Sequence, residues 1–301
     1  MNKLGLHANV WVKAWSREEC AHAVAKTAEL GFDIIEISAP DPRAMDLAFT
    51  RRQVEAAGIE AVLSLGLDSA SDISSDDPER VKAGERRLDE VVAGARDVGA
   101  KYVGGILYSA FQKYAEPPTE AGIMGAAEAI RRAAQKAAAS GITLGMEVVN
   151  RYESNVLNTA AQAVEFCRLV GAPNVKVHLD SYHMNIEEAN VEAAVVDTGG
   201  HLGYFHIGES NRGYLGAGSV DFHRIFAGLA RIGYEGPITF ESFSSVVVSQ
   251  PLCGILGIWR NLWDDGEDLA RHARVFILAQ LQGAREGLND GARSRLIGQG
   301  R

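Results

Sequence analysis

The sequence predicts an α/β protein built as a single (β/α)8 TIM barrel. Three observations carry this reading: eight short apolar runs, a helical periodicity after each of them, and a glycine before seven of the eight runs. A helix between consecutive strands makes neighbouring strands parallel and their crossovers right-handed. Eight such units suit a closed barrel, whereas a doubly wound sheet more often stops near six strands. A chain of 301 residues is long enough for one barrel of this kind or for two ordinary domains, and no linker divides it.

Taken in order, the first strand is expected over residues 3–10. Ser16-Arg-Glu-Glu19 has the spacing of a capping box, and Cys20, Ala23, Val24, Thr27 and Ala28 follow at helical spacing before Leu30-Gly31 ends the helix. The second strand spans 33–38. The same grammar recurs with Gly58 before strand 59–65, Gly99 before 101–107, Gly141 before 142–146 and Gly171 before 175–179. It recurs again with Gly200 before 204–207 and Gly233 before 237–240. Glycine lets a helix leave through a left-handed position. The Ser/Asp-rich stretch 68–77 and the Pro117-Pro118 turn fall where long strand-to-helix loops belong. The last helix is expected over 268–281. One barrel domain is thus assigned to residues 1–286, and the polar, Gly-rich stretch 287–301 to a loosely held tail.

Composition narrows the function. Hydrophobic residues make up 47% and charged residues 23%, the balance of a globular protein. No apolar run approaches the ~20 residues of a membrane span, and the N-terminus lacks the apolar core of a signal peptide, so a cytoplasmic protein is expected without a membrane partner. Cys20, Cys167 and Cys253 lie far apart, which suggests neither a disulfide framework nor a thiolate zinc site. A net charge of −9 without a long Lys/Arg run argues against a nucleic-acid partner and leaves a small molecule.

In a barrel, residues at the carboxyl ends of strands converge on one mouth. Glu147 ends the fifth apolar run, Asp180 the sixth, His206 lies near the end of the seventh, and Glu241 ends the eighth. They are 33, 26 and 35 residues apart, about one βα unit each. A lone strand-end acid is more often a cap than a ligand, and a lone histidine is more often a satisfied core residue. Glu36, Glu60 and His178 are read that way. Four such residues on successive strands are another matter, because three crowded carboxylates repel one another unless a dication neutralises them. Oxygen and imidazole donors without thiolate suit Mn2+, Co2+ or Mg2+ better than a structural zinc site, although affinity alone does not exclude zinc, and Mn2+ is the expected cofactor. Each of the first three has a polar follower in the loop above: Glu153, His183 and Arg212. Glu153 and His183 suit substrate hydroxyls, and Arg212 suits a developing oxyanion, although a solvated loop charge is the ordinary reading of such an arginine.

These stretches resemble the ketose 3-epimerases, the D-tagatose, D-allulose (psicose) and L-ribulose 3-epimerases among the xylose-isomerase-like barrels. The motifs are Glu147-Val-Val-Asn-Arg-Tyr-Glu-Ser-Asn155, His178-Leu-Asp-Ser-Tyr-His-Met-Asn-Ile-Glu-Glu188, His206-Ile-Gly-Glu-Ser-Asn-Arg-Gly213, Phe240-Glu-Ser-Phe-Ser-Ser245 and Ile258-Trp-Arg-Asn-Leu-Trp263. The first half agrees mainly through Trp15, Asp72-Ile-Ser-Ser75 and Leu107-Tyr-Ser-Ala110. The resemblance implies that Glu147, Asp180, His206 and Glu241 hold the metal and that Glu147 and Glu241 exchange the proton. It implies that Glu153, His183 and Arg212 bind the C1–C3 end of a ketose, with His7, Trp15, Tyr108 and Phe243 as further substrate contacts. Asn211 stands where many relatives have His, and the loop 108–113 lacks a Trp found in some; both bear on sugar preference. The expected reaction is C3 epimerisation through a cis-enediolate, with aldose–ketose or hydroxypyruvate-type isomerisation as the alternative on the same site. A phosphodiesterase of the endonuclease IV type would need more strand-end histidines and a basic face. A homo-oligomer, dimer or tetramer, is implied by the resemblance, and the segment 259–263 is expected either to cover the barrel or to meet another subunit.

Overall fold

Eight parallel strands close on themselves in sequence order, β1 against β8. The computed structural model describes residues 2–39 and 41–298, with side chains as far as residue 288. The strands are β1 (Leu4–His7), β2 (Ile34–Ser38), β3 (Glu60–Ser64), β4 (Tyr102–Gly104), β5 (Thr143–Glu147), β6 (Val175–Asp180), β7 (Leu202–Ile207) and β8 (Ile238–Phe240). The helices are α1 (Arg17–Glu29), α2 (Leu47–Ala57), α3 (Pro78–Val98), α4 (Glu120–Ala138), α5 (Ala160–Val170), α6 (Ser181–Glu187), α7 (Val191–Thr198), α8 (Phe222–Arg231), α9 (Leu252–Ile255) and α10 (Gly266–Gly298). None of them is long and apolar enough to cross a membrane among the described residues.

Local chemistry accounts for most of these boundaries. Ser16 and Glu19 exchange both bonds of the capping box at the start of α1. Gly58 and Gly99 end α2 and α3 at φ 68° and 89°, the left-handed exit that a side chain would strain. Four expectations shift. The fourth strand, expected over 101–107, is found only over Tyr102–Gly104. The first strand stops at His7, where the ring accepts the Asn9 N–H and turns the chain into a single 3-10 turn, Ala8–Val10. The exit after α7 falls on Gly199 rather than Gly200. The last helix outruns 268–281 and continues to Gly298, so residue 286 lies inside it. Leu281 and Ala284 pack on the core there, and Arg285 donates to Asn2 Oδ1 at 3.0 Å. Residues 299–301 of the expected tail lie outside the described residues.

The barrel interior is filled below the mouth, which gives the site a floor. Tyr102 and Tyr204 stack at 4.6 Å among Ile34 and Val62. Gly145 makes room for them: a Cβ there would sit 1.7 Å from the Tyr102 hydroxyl. A register shift between Val177 and His178 brings Asp180 opposite His206 across β6 and β7.

Candidate active site

The strand ends meet around one imidazole. His206 Nδ1 lies 3.3 Å from Glu147 Oε1, 3.8 Å from Asp180 Oδ2 and 3.8 Å from Glu241 Oε1. Neither this nitrogen nor Asp180 Oδ2 has a hydrogen-bond partner, although both are buried. Orphaned buried donors and acceptors are costly, by about 1–3 kcal/mol each, so the cluster is built for something that bridges them. Its electrostatics agree. Burial opposes charge on His206, yet Glu36 and Glu241 raise it well above the ordinary imidazole value. A positive charge therefore belongs at Nδ1, whether a proton or a metal ion. Burial also works against the Asp180 carboxylate, but His183, His206 and Arg212 hold it well below the usual range. Glu147 goes the other way: burial pushes it up and Glu241 adds to this, outweighing His206.

Three triads among the described residues are close enough to share an ion: Asp180, His206 and Glu241; Glu147, Asp180 and His183; Glu147, His178 and His206. Hydrogen bonding separates the histidines. The Asn150 backbone N–H donates to His183 Nδ1 at 3.1 Å, so the neutral ring carries its proton on Nε2 and is a donor rather than a ligand. That nitrogen lies 3.8 Å from both Glu153 Oε2 and Asp180 Oδ2. His178 is fully buried edge-on to His206 at 4.2 Å, and burial lowers it well below the ordinary value. It packs behind the cluster. Glu147, Asp180, His206 and Glu241 are left as the donor set that fits a divalent cation.

Above them opens a cavity of about 700 Å3 walled by His7, Trp15, Glu147, Glu153, His183, His206, Arg212, Glu241 and Phe243. Arg212 is not a solvated loop charge. It is buried, 3.7 Å over the Tyr182 ring, and donates to Glu241 Oε2 at 2.8 Å. Its φ of 59° is a left-handed conformation that costs a non-glycine residue about 1–3 kcal/mol and needs support. The support is visible: Trp263 Nε1 donates to Ser242 Oγ, which donates to the Arg212 carbonyl. Glu209, buried, adds to it by accepting the N–H groups of Ser210, Gly216 and Val220. Trp263 is thus part of the barrel, whereas Trp259 is 78% exposed.

Phe243 packs its ring 5.5 Å from His7 and 5.3 Å from Arg212. His7 Nδ1 accepts from Asn9 N, so Nε2 carries the proton and points past Ser38 Oγ, 3.4 Å away, toward Glu241. Trp15 is pinned in the wall by its N–H to Thr50 Oγ1 at 3.0 Å. Tyr108 is fully buried behind the residues that wall the cavity, and its hydroxyl donates to the Glu147 carbonyl at 2.6 Å at the end of β5. Asn211 also lies off this wall, its Oδ1 accepting Gly213 N in the supporting loop.

Two residues read as ordinary separate sharply. Glu60 is exposed and paired with Lys3. Glu36 is fully buried and accepts the His206 Nε2 proton at 2.8 Å. Burial alone would raise its carboxyl, but the charge and hydrogen bond of His206 hold it at about 2. The only hint in the chain is an acid inside the apolar run Ile34-Ile-Glu-Ile37, since its partner is 170 residues away.

Comparison with known proteins agrees. The family model described as a xylose isomerase-like TIM barrel matches residues 24–276. The chain is 48% identical to a ketose 3-epimerase of Arthrobacter globiformis over 93% of this chain and 96% of that protein. It is 43% identical to an L-ribulose 3-epimerase of Mesorhizobium japonicum over 95% and 96%. Among solved structures, an L-ribulose 3-epimerase superposes with a TM-score of 0.93 at 42% identity, over 96% of this chain and 97% of that one. A D-allulose 3-epimerase from Methylomonas in complex with D-allulose gives 0.91 at 43%, over 93% and 97%. Given one barrel, one mouth and this agreement along the chain, the protein belongs to the ketose 3-epimerases, isomerases within the xylose isomerase-like TIM-barrel family.

Proposed function

We propose that the protein inverts C3 of free 2-ketoses of the L-ribulose, D-allulose/D-fructose and D-tagatose class. The observation that carries this is the placement of two glutamates at the cavity floor, Glu147 on β5 and Glu241 beyond β8, which approach His206 Nδ1 to 3.3 and 3.8 Å from strands on either side of β7 in the barrel order. A divalent cation, Mn2+ before Mg2+ or Co2+, fits the donor set Glu147, Asp180, His206 and Glu241 and supplies Lewis-acid polarisation of the ketose carbonyl. The C3 proton is acidified by that carbonyl. One glutamate takes the proton from one face and the other returns one to the opposite face, which is what inversion requires and what a single base does not provide.

The remaining roles follow from the bonds each residue has free. Arg212, held charged beside Glu241, offers fixed donors to the developing enediolate oxygen. His183 presents Nε2–H and Glu153 presents Oε2 to the hydroxyls near C1–C3. His7, Trp15 and Phe243 shape the rest of the wall. We also propose a homo-oligomer, dimer or tetramer, supported by the apolar surface of Trp259, Val246 and Ile255, which are 78%, 55% and 51% exposed. A cytoplasmic setting is supported by three buried free cysteines.

The test is exchange. The Mn2+-loaded protein is incubated with D-fructose, D-tagatose or L-ribulose in deuterated water, and the label is located by NMR. Deuterium at C3 with inverted configuration is expected. Label at C1 instead assigns the aldose–ketose reaction, and no exchange on any of the three removes both.

A further inference from the structure

Glu36 is the charged group in the barrel that the proposed reaction leaves without a part. It sits inside β2, fully buried and reaching the cavity floor from within the strand rather than from a loop above it. A carboxylate there is expensive to bury, and a single strong bond, Oε2 to His206 Nε2 at 2.8 Å, is what it makes. Its other oxygen has no partner. The address of that bond is informative. Nε2 is the ring nitrogen turned away from Glu147, Asp180 and Glu241, and Nδ1 is the one turned toward them.

A neutral imidazole carries one proton, and its two nitrogens compete for it. Without Glu36, the nearest acceptor would be Glu147 Oε1, 3.3 Å from Nδ1. The proton would then sit on Nδ1 and block the nitrogen that a cation needs. His178, edge-on at 4.2 Å, makes no hydrogen bond that would counter this. We infer that Glu36 is a positioning residue for the proposed cation site: by accepting Nε2–H it fixes the His206 ring with its retained proton on Nε2, so that Nδ1, which faces the carboxylates, is the nitrogen that a cation takes. Outer carboxylates that orient ligand histidines in this way strengthen the ligand as well as aim it. The inference rests on the reading of Glu147, Asp180, His206 and Glu241 as a metal centre.

The experiment compares wild type, Glu36→Gln and Glu36→Ala, each freed of metal and titrated with Mn2+ in a calorimeter. Glu36→Ala is expected to bind Mn2+ about 10–100-fold more weakly. Glu36→Gln keeps an acceptor for Nε2–H but not the charge, and is expected to fall between the two. At saturating Mn2+ the KM for the ketose stays within about twofold of wild type in both, because Glu36 acts through His206 and not on the sugar. Equal Mn2+ affinity in all three proteins overturns the role of Glu36. If the alanine variant fails to fold, the glutamine variant decides alone: weaker binding supports the role and unchanged binding overturns it. A wild type that binds no Mn2+ is a separate result, which removes the metal centre itself.

Discussion

The two halves of the barrel are built from the same unit and do different things. β5 and β6 end in Glu147 and Asp180, β7 carries His206 one residue before its end, and Glu241 lies one residue beyond β8, with Arg212 folded back over them. β1 to β4 end in His7, Ser38, Ser64 and Gly104, and their loops supply Trp15, Leu65, Gly66 and Gly105 to the cavity wall. The second half concentrates charge that burial makes unstable on its own. The first half stays nearly neutral and small at its ends, which leaves room for a substrate above the floor. Glu36 is the exception, a charge from the first half that reaches across the barrel to His206. The proposed division of labour is therefore chemistry on one side and shape on the other, with the Glu36–His206 bond carrying a charge of the first half into the chemistry of the second.

The largest effect should come from breaking the chemical half. Glu147→Gln and Glu241→Gln each keep the size of the side chain and remove a proton carrier, so the rate of C3 exchange should fall by about 10²–10⁴-fold. The label exchange described above measures it. Near-normal exchange in either variant would show that inversion does not need that glutamate.

Arg212→Lys comes next. It keeps the charge and loses the planar stack at 3.7 Å on Tyr182, so kcat should fall by about 10–100-fold while Mn2+ still binds. A lysine that restores full turnover would mean that charge alone suffices, and the strained loop held by Ser242 and Trp263 would then lack a catalytic reason.

Legibility follows the same division. Glu147, Asp180, His206 and Glu241 could be read because each interrupts an apolar strand at a fixed point of the repeat, which is a local signal. Residues whose role comes from partners far along the chain could not. Glu36 depends on a ring 170 residues away. The resemblance implies Tyr108 as a substrate contact, whereas its hydroxyl turns to the Glu147 carbonyl. Arg212 looked solvated because burial of an arginine is decided by Tyr182, Glu241 and the Trp263 segment together. The length of α10 was hidden for a simpler reason: beyond Leu281 its sequence is polar, and the contact of Arg285 with Asn2 joins residues 283 positions apart.

The shape half has its own breaking point at Gly105. Its φ is 110°, and a Cβ would lie 2.3 Å from the Leu65 carbonyl oxygen. Gly105→Ala should therefore cost roughly 2–3 kcal/mol of stability and lower the melting temperature. Unchanged melting would show that the turn after β4 relaxes freely and that the first half is less rigid than its packing implies.

Acidity sharpens the contrast between the halves. His206 is raised well above 6.5, so without metal it holds a proton at neutral pH that a cation must displace. Below the His206 pKa, each unit of falling pH should weaken Mn2+ binding about tenfold, and above that pKa the affinity should level off. His7 in the first half is lowered by burial, stays neutral at neutral pH, and adds no such slope. Calorimetric titrations between about pH 6 and pH 8 test this. Flat affinity across that range would mean that Nδ1 is already bare.

The smallest effect is expected at the seam. Tyr108→Phe removes a hydroxyl whose bonds go to the backbone carbonyls of Glu147 and Leu157 at 2.6 and 3.4 Å. Both acceptors are carbonyls at the edge of β5 and its loop, so the loss should be that of one buried neutral hydrogen bond, about 1 kcal/mol in unfolding free energy. Turnover should drop by less than about threefold, since the Glu147 side chain keeps its 3.3 Å contact with His206 Nδ1. The sugar's KM should not move. A KM raised tenfold with stability intact would instead make Tyr108 a contact of the ketose, and the recognition surface would then extend one layer deeper into the first half than the cavity wall indicates. Because the two outcomes differ in which quantity moves, stability or KM, denaturant melts and initial rates on a single variant distinguish a residue that supports the chemical half from one that shapes the pocket.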